Sequence, residues 1–162
     1  MKKDIPSNSR RGFFKTAGIL AGTAVVAPAV MARGNSKAKQ SLFNDYKKEK
    51  IGSLKALKSA GELDFNYPDS DSMCKAVYIE GKVKAYSTIC THKGCPTMYN
   101  KSAGVFECPC HHSKFDAANE GQMIIGHATG KLPQVILEID GDNIYAVGFE
   151  GLIFGRINNT RG

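Results

Sequence analysis

Two short stretches hold most of the residues able to do chemistry. They are Cys90-Thr91-His92-Lys93-Gly94-Cys95 and Cys108-Pro109-Cys110-His111-His112-Ser113. Read as ligands, they are Cys-x-His, fifteen residues, then Cys-x2-His, with one cysteine left over in each stretch. Two thiolates and two imidazoles bind zinc tetrahedrally. The same set suits a [2Fe–2S] cluster, with two Cys on one iron and two His on the other. The spare Cys95 and Cys110 favour the cluster, because they could close a disulfide across the two loops and a zinc site has no use for them.

The ligand set has a charge consequence. Two ferric ions, two sulfides and two thiolates sum to zero, whereas four thiolates leave the oxidised centre at −2. A neutral centre accepts an electron more readily, which places such centres at about −150 to +300 mV.

The elements around these stretches read as strands. Leu63–Tyr67 alternates and stops at Pro68; Lys75–Glu80 and Lys82–Thr88 flank a turn at Gly81; Val105–Glu107 is a short strand. Gln134–Ile139 and Asn143–Val147 flank Asp140-Gly141-Asp142, and Gly151–Gly155 reads as a last strand. Helical periodicity is confined to one turn at Ser53–Leu57. The fold class is all-β, a small antiparallel sandwich or barrel with an inserted two-loop, metal-binding subdomain.

Charge divides the chain of 162 residues, whose formal net charge is +7. Residues 1–32 carry five basic side chains and one acid, and residues 33–50 carry six and two. Residues 51–162 carry eleven basic and twelve acidic side chains. No cluster of Lys and Arg marks the body as a nucleic-acid surface. The leader has the order of an export signal: Ser9-Arg10-Arg11-Gly12-Phe13-Phe14-Lys15, then an uncharged Thr16–Ala32. It resembles the twin-arginine signal, with cleavage after Ala29 or Ala32. Uncleaved, the 17-residue apolar run would be a borderline membrane anchor, the one route to membrane contact. Residues 33–50 are expected to be a polar basic tether without packed structure, and 51–162 the domain.

C-T-H-x-G-C with C-P-C-H-x-S is similar to the Rieske iron–sulfur signature. The resemblance implies one [2Fe–2S] cluster per chain, held by loops at about 89–116. Cys90 and Cys108 would ligate the inner iron, His92 and His111 the outer one, and Cys95–Cys110 would form the disulfide. Gly94 would let backbone N–H groups approach the sulfides, and Ser113 would hydrogen-bond a bridging sulfide. Two positions depart from the respiratory pattern: His112 replaces a Gly, and Phe115 stands where high-potential proteins carry a Tyr that bonds a ligand sulfur. His112 is expected to be a solvent-exposed neighbour, not a third ligand.

The stretches Phe65–Ser72 with Cys74, Gly121–Met123 to Leu132–Gln134, and Tyr145–Gly148 to Gly151–Arg156 resemble the arsenite oxidase small subunit. That resemblance implies a heterodimer with a molybdopterin large subunit, periplasmic location after folded export, and cytochrome c or azurin as electron partner. Substrate catalysis would then lie on the large subunit. The similar small subunit of iodate reductase is the alternative, with electrons flowing the other way. A quinol–cytochrome c Rieske protein and a zinc-stabilised secreted module are further readings. Cys74 is expected to be a buried hydrophobe, Lys93 a solvated loop residue, and Asn158-Asn159-Thr160 of no consequence as a glycosylation acceptor.

Overall fold

A computed structural model describes residues 46–160. The leader and most of the expected tether lie outside the described residues. Among the described residues ten strands and one helix follow in order: β1 (Glu49–Ser53), α1 (Leu54–Ala60), β2 (Glu62–Asn66), β3 (Met73–Ile79), β4 (Lys82–Ser87), β5 (Met98–Asn100), β6 (Val105–Glu107), β7 (Lys114–Asp116), β8 (Gln122–Ile125), β9 (Gln134–Asp140) and β10 (Asn143–Glu150). The larger sheet has the order β1-β10-β9-β4-β3-β2, and the smaller β5-β6-β7-β8; every pairing is antiparallel. The expected all-β class is therefore what is found, with a nearly closed, barrel-like main sheet.

The hairpins form where glycine permits the turn. Glu80 and Gly81 both have positive φ, 50° and 76°, between β3 and β4. The predicted helical turn is a seven-residue helix. Ser53 caps its start by accepting the Ala56 N–H, and Gly61, in the left-handed region, closes its end.

Two buried clusters divide the work. One lies within the main sheet and holds Leu57, Tyr67, Cys74, Ala76, Val135, Ile144 and Phe149. The second joins the sheets: Val77 and Tyr86 from the larger meet Phe106, Phe115, Leu132, Cys90 and Cys108. Tyr86 fixes that joint. Its ring meets Phe106 edge-on at 5.5 Å, and its hydroxyl donates to the Ala117 carbonyl at 3.0 Å. The smaller sheet is thereby joined to the larger one through a buried aromatic contact and a hydrogen bond.

The structure corrects two expectations. The tether does not run to residue 50. Tyr46 stacks on Tyr67 at 6.1 Å, the Tyr67 hydroxyl donates to the Lys47 carbonyl, and Glu49 and Lys50 begin β1. The Lys50 side chain stays exposed while its backbone pairs with Tyr145 of β10. Gly151–Gly155 is not a strand. Gly151 and Gly155 have φ of 92° and 80°, and the Ile153 N–H donates to the Asn159 side chain, not to a neighbouring strand. The Cys74 reading holds: the thiol is buried, donates to the Tyr67 carbonyl, and is pushed up to about 12 by burial. Asn159, the middle residue of the Asn158-Asn159-Thr160 motif, is 3% exposed and spends its side chain on Ile153 and Gly151, whereas Asn158, the acceptor position, is exposed.

Arg156 ties the C-terminal segment to the β2–β3 loop. Its guanidinium donates to both carboxylate oxygens of Asp69, and Ser72 donates to the same carboxylate at 2.6 Å. Arg156 first, then the Ser72 hydroxyl, outweighs desolvation and holds the Asp69 carboxyl well below the usual carboxylate range. The folded value is depressed, so the stabilisation is present at neutral pH and is lost as pH falls below about 4. Asp69→Asn is expected to lower the melting temperature at pH 7, and the gap to the parent should shrink on acidification. A constant gap from pH 7 to 3 contradicts this.

Candidate redox site

The two cysteine loops have the same backbone construction. Cys90 N–H donates to Cys95 O at 2.8 Å, and Gly94 N–H donates back to Cys90 O at 2.9 Å. Cys108 N–H donates to Ser113 O at 2.8 Å, and His112 N–H donates back to Cys108 O at 3.0 Å. Each ring needs a left-handed residue at its fifth position: Gly94 with φ 74° and His112 with φ 58°. This explains why the resembling pattern carries Gly where this chain has His112. Histidine tolerates that region at a cost of about 1 kcal/mol. His112→Gly is therefore expected to raise stability by up to about 1 kcal/mol, read as a higher melting temperature; a decrease contradicts the strain argument.

The loops bring the predicted residues together. Cys95 and Cys110 are disulfide-bonded, with Cα atoms 6.6 Å apart. Cys90 and Cys108 are buried and outside any disulfide. Burial, foremost, pushes the Cys90 thiol up; the His92 and Lys93 backbone N–H groups pull it down, and the adjacent Cys108 thiol pushes it up again. Those two amides are the N–H groups that the turn at Gly94 aims at sulfur. The His92 and His111 rings meet edge-on at 4.6 Å between centroids. Desolvation first, then His111, Lys93 and His127, holds the His92 imidazole below its usual range, which favours the neutral form that ligates metal. His112 is exposed, as expected, and so is Lys93.

One orphan atom tests the fit of a metal group. Among the described residues, His92 Nδ1 is the buried side-chain nitrogen or oxygen without a hydrogen-bond partner. Such an atom costs about 1–3 kcal/mol unless something bonds it. A bond to iron satisfies it, so the donor set fits the cluster: two buried thiols on one side and two imidazoles at the surface on the other. When bound, the cluster supplies reversible one-electron transfer.

A third loop, not anticipated from the sequence, closes over the other two. Ser113 Oγ accepts the His127 and Ala128 N–H groups at 3.0 and 3.1 Å. Its own proton is then left to donate, as a bond to sulfide requires. Thr91 donates to Gly130 O at 2.7 Å, and Thr129 donates back to Thr91 O at 3.2 Å. His127 stacks beside His92 with centroids 5.8 Å apart. The contacts run largely through backbone groups, which leave no residue-type signal. The only hint was a lone histidine between Gly126 and Gly130.

Phe115 is fully buried in the cluster of side chains that includes Cys90 and Cys108. Phe115→Tyr at nearly unchanged volume is expected to add a donor near a ligand sulfur and raise the midpoint potential by tens of millivolts. About 59 mV is tenfold for one electron, or ~1.4 kcal/mol, the scale of one charge-assisted bond. Ser113→Ala is expected to lower it similarly. Voltammetry checks both; an unchanged or lowered potential in Phe115→Tyr with an intact spectrum contradicts the placement.

Fold and site together define a Rieske-type electron-transfer protein. The Rieske [2Fe-2S] domain family matches residues 51–136. The chain is similar to iodate reductase subunit IdrB of Denitromonas iodatirespirans, 38% identical over 95% of this chain and 88% of that protein. It is similar to the same subunit of Pseudomonas sp. (strain SCT), 36% identical over 91% and 82%. Among solved structures, the cyanobacterial plasma membrane Rieske protein PetC3 of Synechocystis PCC 6803 superposes with a TM-score of 0.54 at 33% identity, covering 60% of this chain and 96% of that one. The chain belongs to the Rieske [2Fe–2S] family and carries one [2Fe–2S] cluster.

Proposed function

We propose that this chain is the electron-transfer subunit of a periplasmic molybdopterin oxidoreductase of the iodate reductase type. The observation that carries the reading is the likeness to iodate reductase subunits over nearly the whole chain, well beyond the Rieske domain itself. The motif resemblances favour arsenite oxidase, with iodate reductase as the alternative; the likeness to these relatives supports iodate reductase. In this reading Cys90, Cys108, His92 and His111 hold the cluster. His111 at the surface is the exit edge for the electron, and a large subunit reduces the substrate with electrons delivered one at a time. A soluble donor such as cytochrome c or azurin would reload the cluster. The Ser9–Lys15 signal suits this: a protein that must fold around iron in the cytoplasm needs a route that exports folded chains.

The test is export with a partner. A C-terminally tagged chain is expected to bring a molybdopterin subunit with it from the periplasm. Arg10-Arg11→Lys-Lys should leave both in the cytoplasm with the cluster already in place. Undiminished periplasmic protein in the double variant contradicts the export route. A tagged chain recovered alone, cluster intact, contradicts the heterodimer.

A further inference from the structure

The first cysteine loop is braced by a part of the chain beyond the Rieske match, which ends at residue 136. After β10 the segment 151–160 turns back over the protein. Within it, Phe154 lays its ring on Gly94. A Cβ built on Gly94 would stand 2.8 Å from Phe154 Cδ1 and 3.2 Å from Cε1. Glycine is therefore required at 94 twice, by its φ of 74° and by the ring above it. Gly94 lies between His92 and the disulfide-bonded Cys95.

The segment is built to hold that ring in place. Ile153, its neighbour, is 3% exposed and anchored in the main core. The Ile153 N–H donates to Asn159 Oδ1 at 2.9 Å, Asn159 Nδ2 donates to Gly151 O at 2.8 Å, and Arg156 N–H donates to Ile153 O at 3.1 Å. Arg156 is in turn fixed on Asp69. Phe154 itself remains 43% exposed, one part against the loop and the rest in water.

We propose that Phe154 is a positioning residue of the redox site, an apolar shield that the C-terminal segment lays on the Cys90–Cys95 loop to exclude water from that side. The inference rests on the cluster and not on which subunit partners the chain. Reduction adds one negative charge at the site. Apolar cover withholds the water that would solvate that charge, so Phe154 holds the potential down. It also restrains the loop that carries His92, which slows cluster loss.

The test uses the full chain with its cluster, in the parent, Phe154→Ala and Phe154→Leu forms. Voltammetry, EPR and iron release to a chelator are read on each. Phe154→Ala is expected to raise the potential by about threefold in equilibrium constant, ~28 mV at 59 mV per tenfold for one electron, with faster iron release. Phe154→Leu restores apolar bulk and should stay near the parent in both. A Phe154→Ala protein with full iron content and an unchanged or lower potential overturns the proposal. So does a leucine variant that shifts as far as alanine. If Phe154→Ala loses its cluster during purification, Phe154→Gln, which keeps bulk but not apolarity, decides: an upward shift supports the shield, and none overturns it. Failure of the cluster assignment itself would show separately, as a parent protein without a Rieske spectrum.

Discussion

Replacing either His92 or His111 with alanine is expected to abolish the visible and EPR spectrum of the cluster, while His112→Ala and His127→Ala keep it. The four histidines of the chain lie within one surface patch, so the contrast is between roles and not between regions. His92 and His111 face each other at 4.6 Å, and His92 Nδ1 is buried without a partner. Losing either ring leaves one iron with a single protein ligand. His112 is turned outward by its left-handed backbone, and His127 stacks on His92 from the third loop. Iron and sulfide analysis beside the spectra checks the result. A His92 or His111 variant with an intact spectrum, or a His112 variant without one, contradicts the ligand set.

The second large effect is expected at Gly126, where a single methyl group should unseat the third loop. A Cβ at Gly126 would stand 2.4 Å from Ser113 Cα and 2.8 Å from Ser113 N. These are backbone atoms of a ring closed by its own hydrogen bonds, so they have little room to yield. The φ of 112° adds strain for any L side chain. Overpacking and strain together are expected to cost about 2–5 kcal/mol. Because Ser113 Oγ holds the His127 and Ala128 N–H groups, the loop should swing away and expose the cluster pocket. Gly126→Ala should therefore melt well below the parent and release iron rapidly. Wild-type melting and cluster retention would show that the third loop bears no such constraint.

Local spacing made the cluster ligands legible. Cys90 with His92 and Cys108 with His111 each lie within one loop, so their chemistry is visible in adjacent letters. The pairing of Cys95 with Cys110 was what the Rieske resemblance implied, and the structure has that disulfide. The third loop was not, because it is held by the His127 and Ala128 amides and the Gly130 carbonyl, groups that every residue has. Strands β5, β7 and β8 also escaped notice. They are three or four residues long, and β8 is exposed throughout. Leu152-Ile153-Phe154 imitated a strand by its apolar run. Only the positive φ of Gly151 and Gly155 and the claim of Asn159 on the Ile153 N–H turned it into the brace of the cluster loop. At the other end, Lys47, Lys48 and Lys50 read as tether by charge, although Tyr46 packs on Phe149 and Lys48 pairs with Glu138 at 2.6 Å.

We propose that this cluster passes electrons to a subunit that reduces an oxyanion. The most direct test is EPR of the heterodimer, reduced and freed of excess reductant, then mixed with iodate. The signal of the reduced cluster is expected to vanish on mixing, and to persist when the isolated chain is mixed in the same way. A cluster that stays reduced in the heterodimer with iodate, but is reduced from its oxidised form by arsenite, would contradict it in favour of electron flow in the opposite direction.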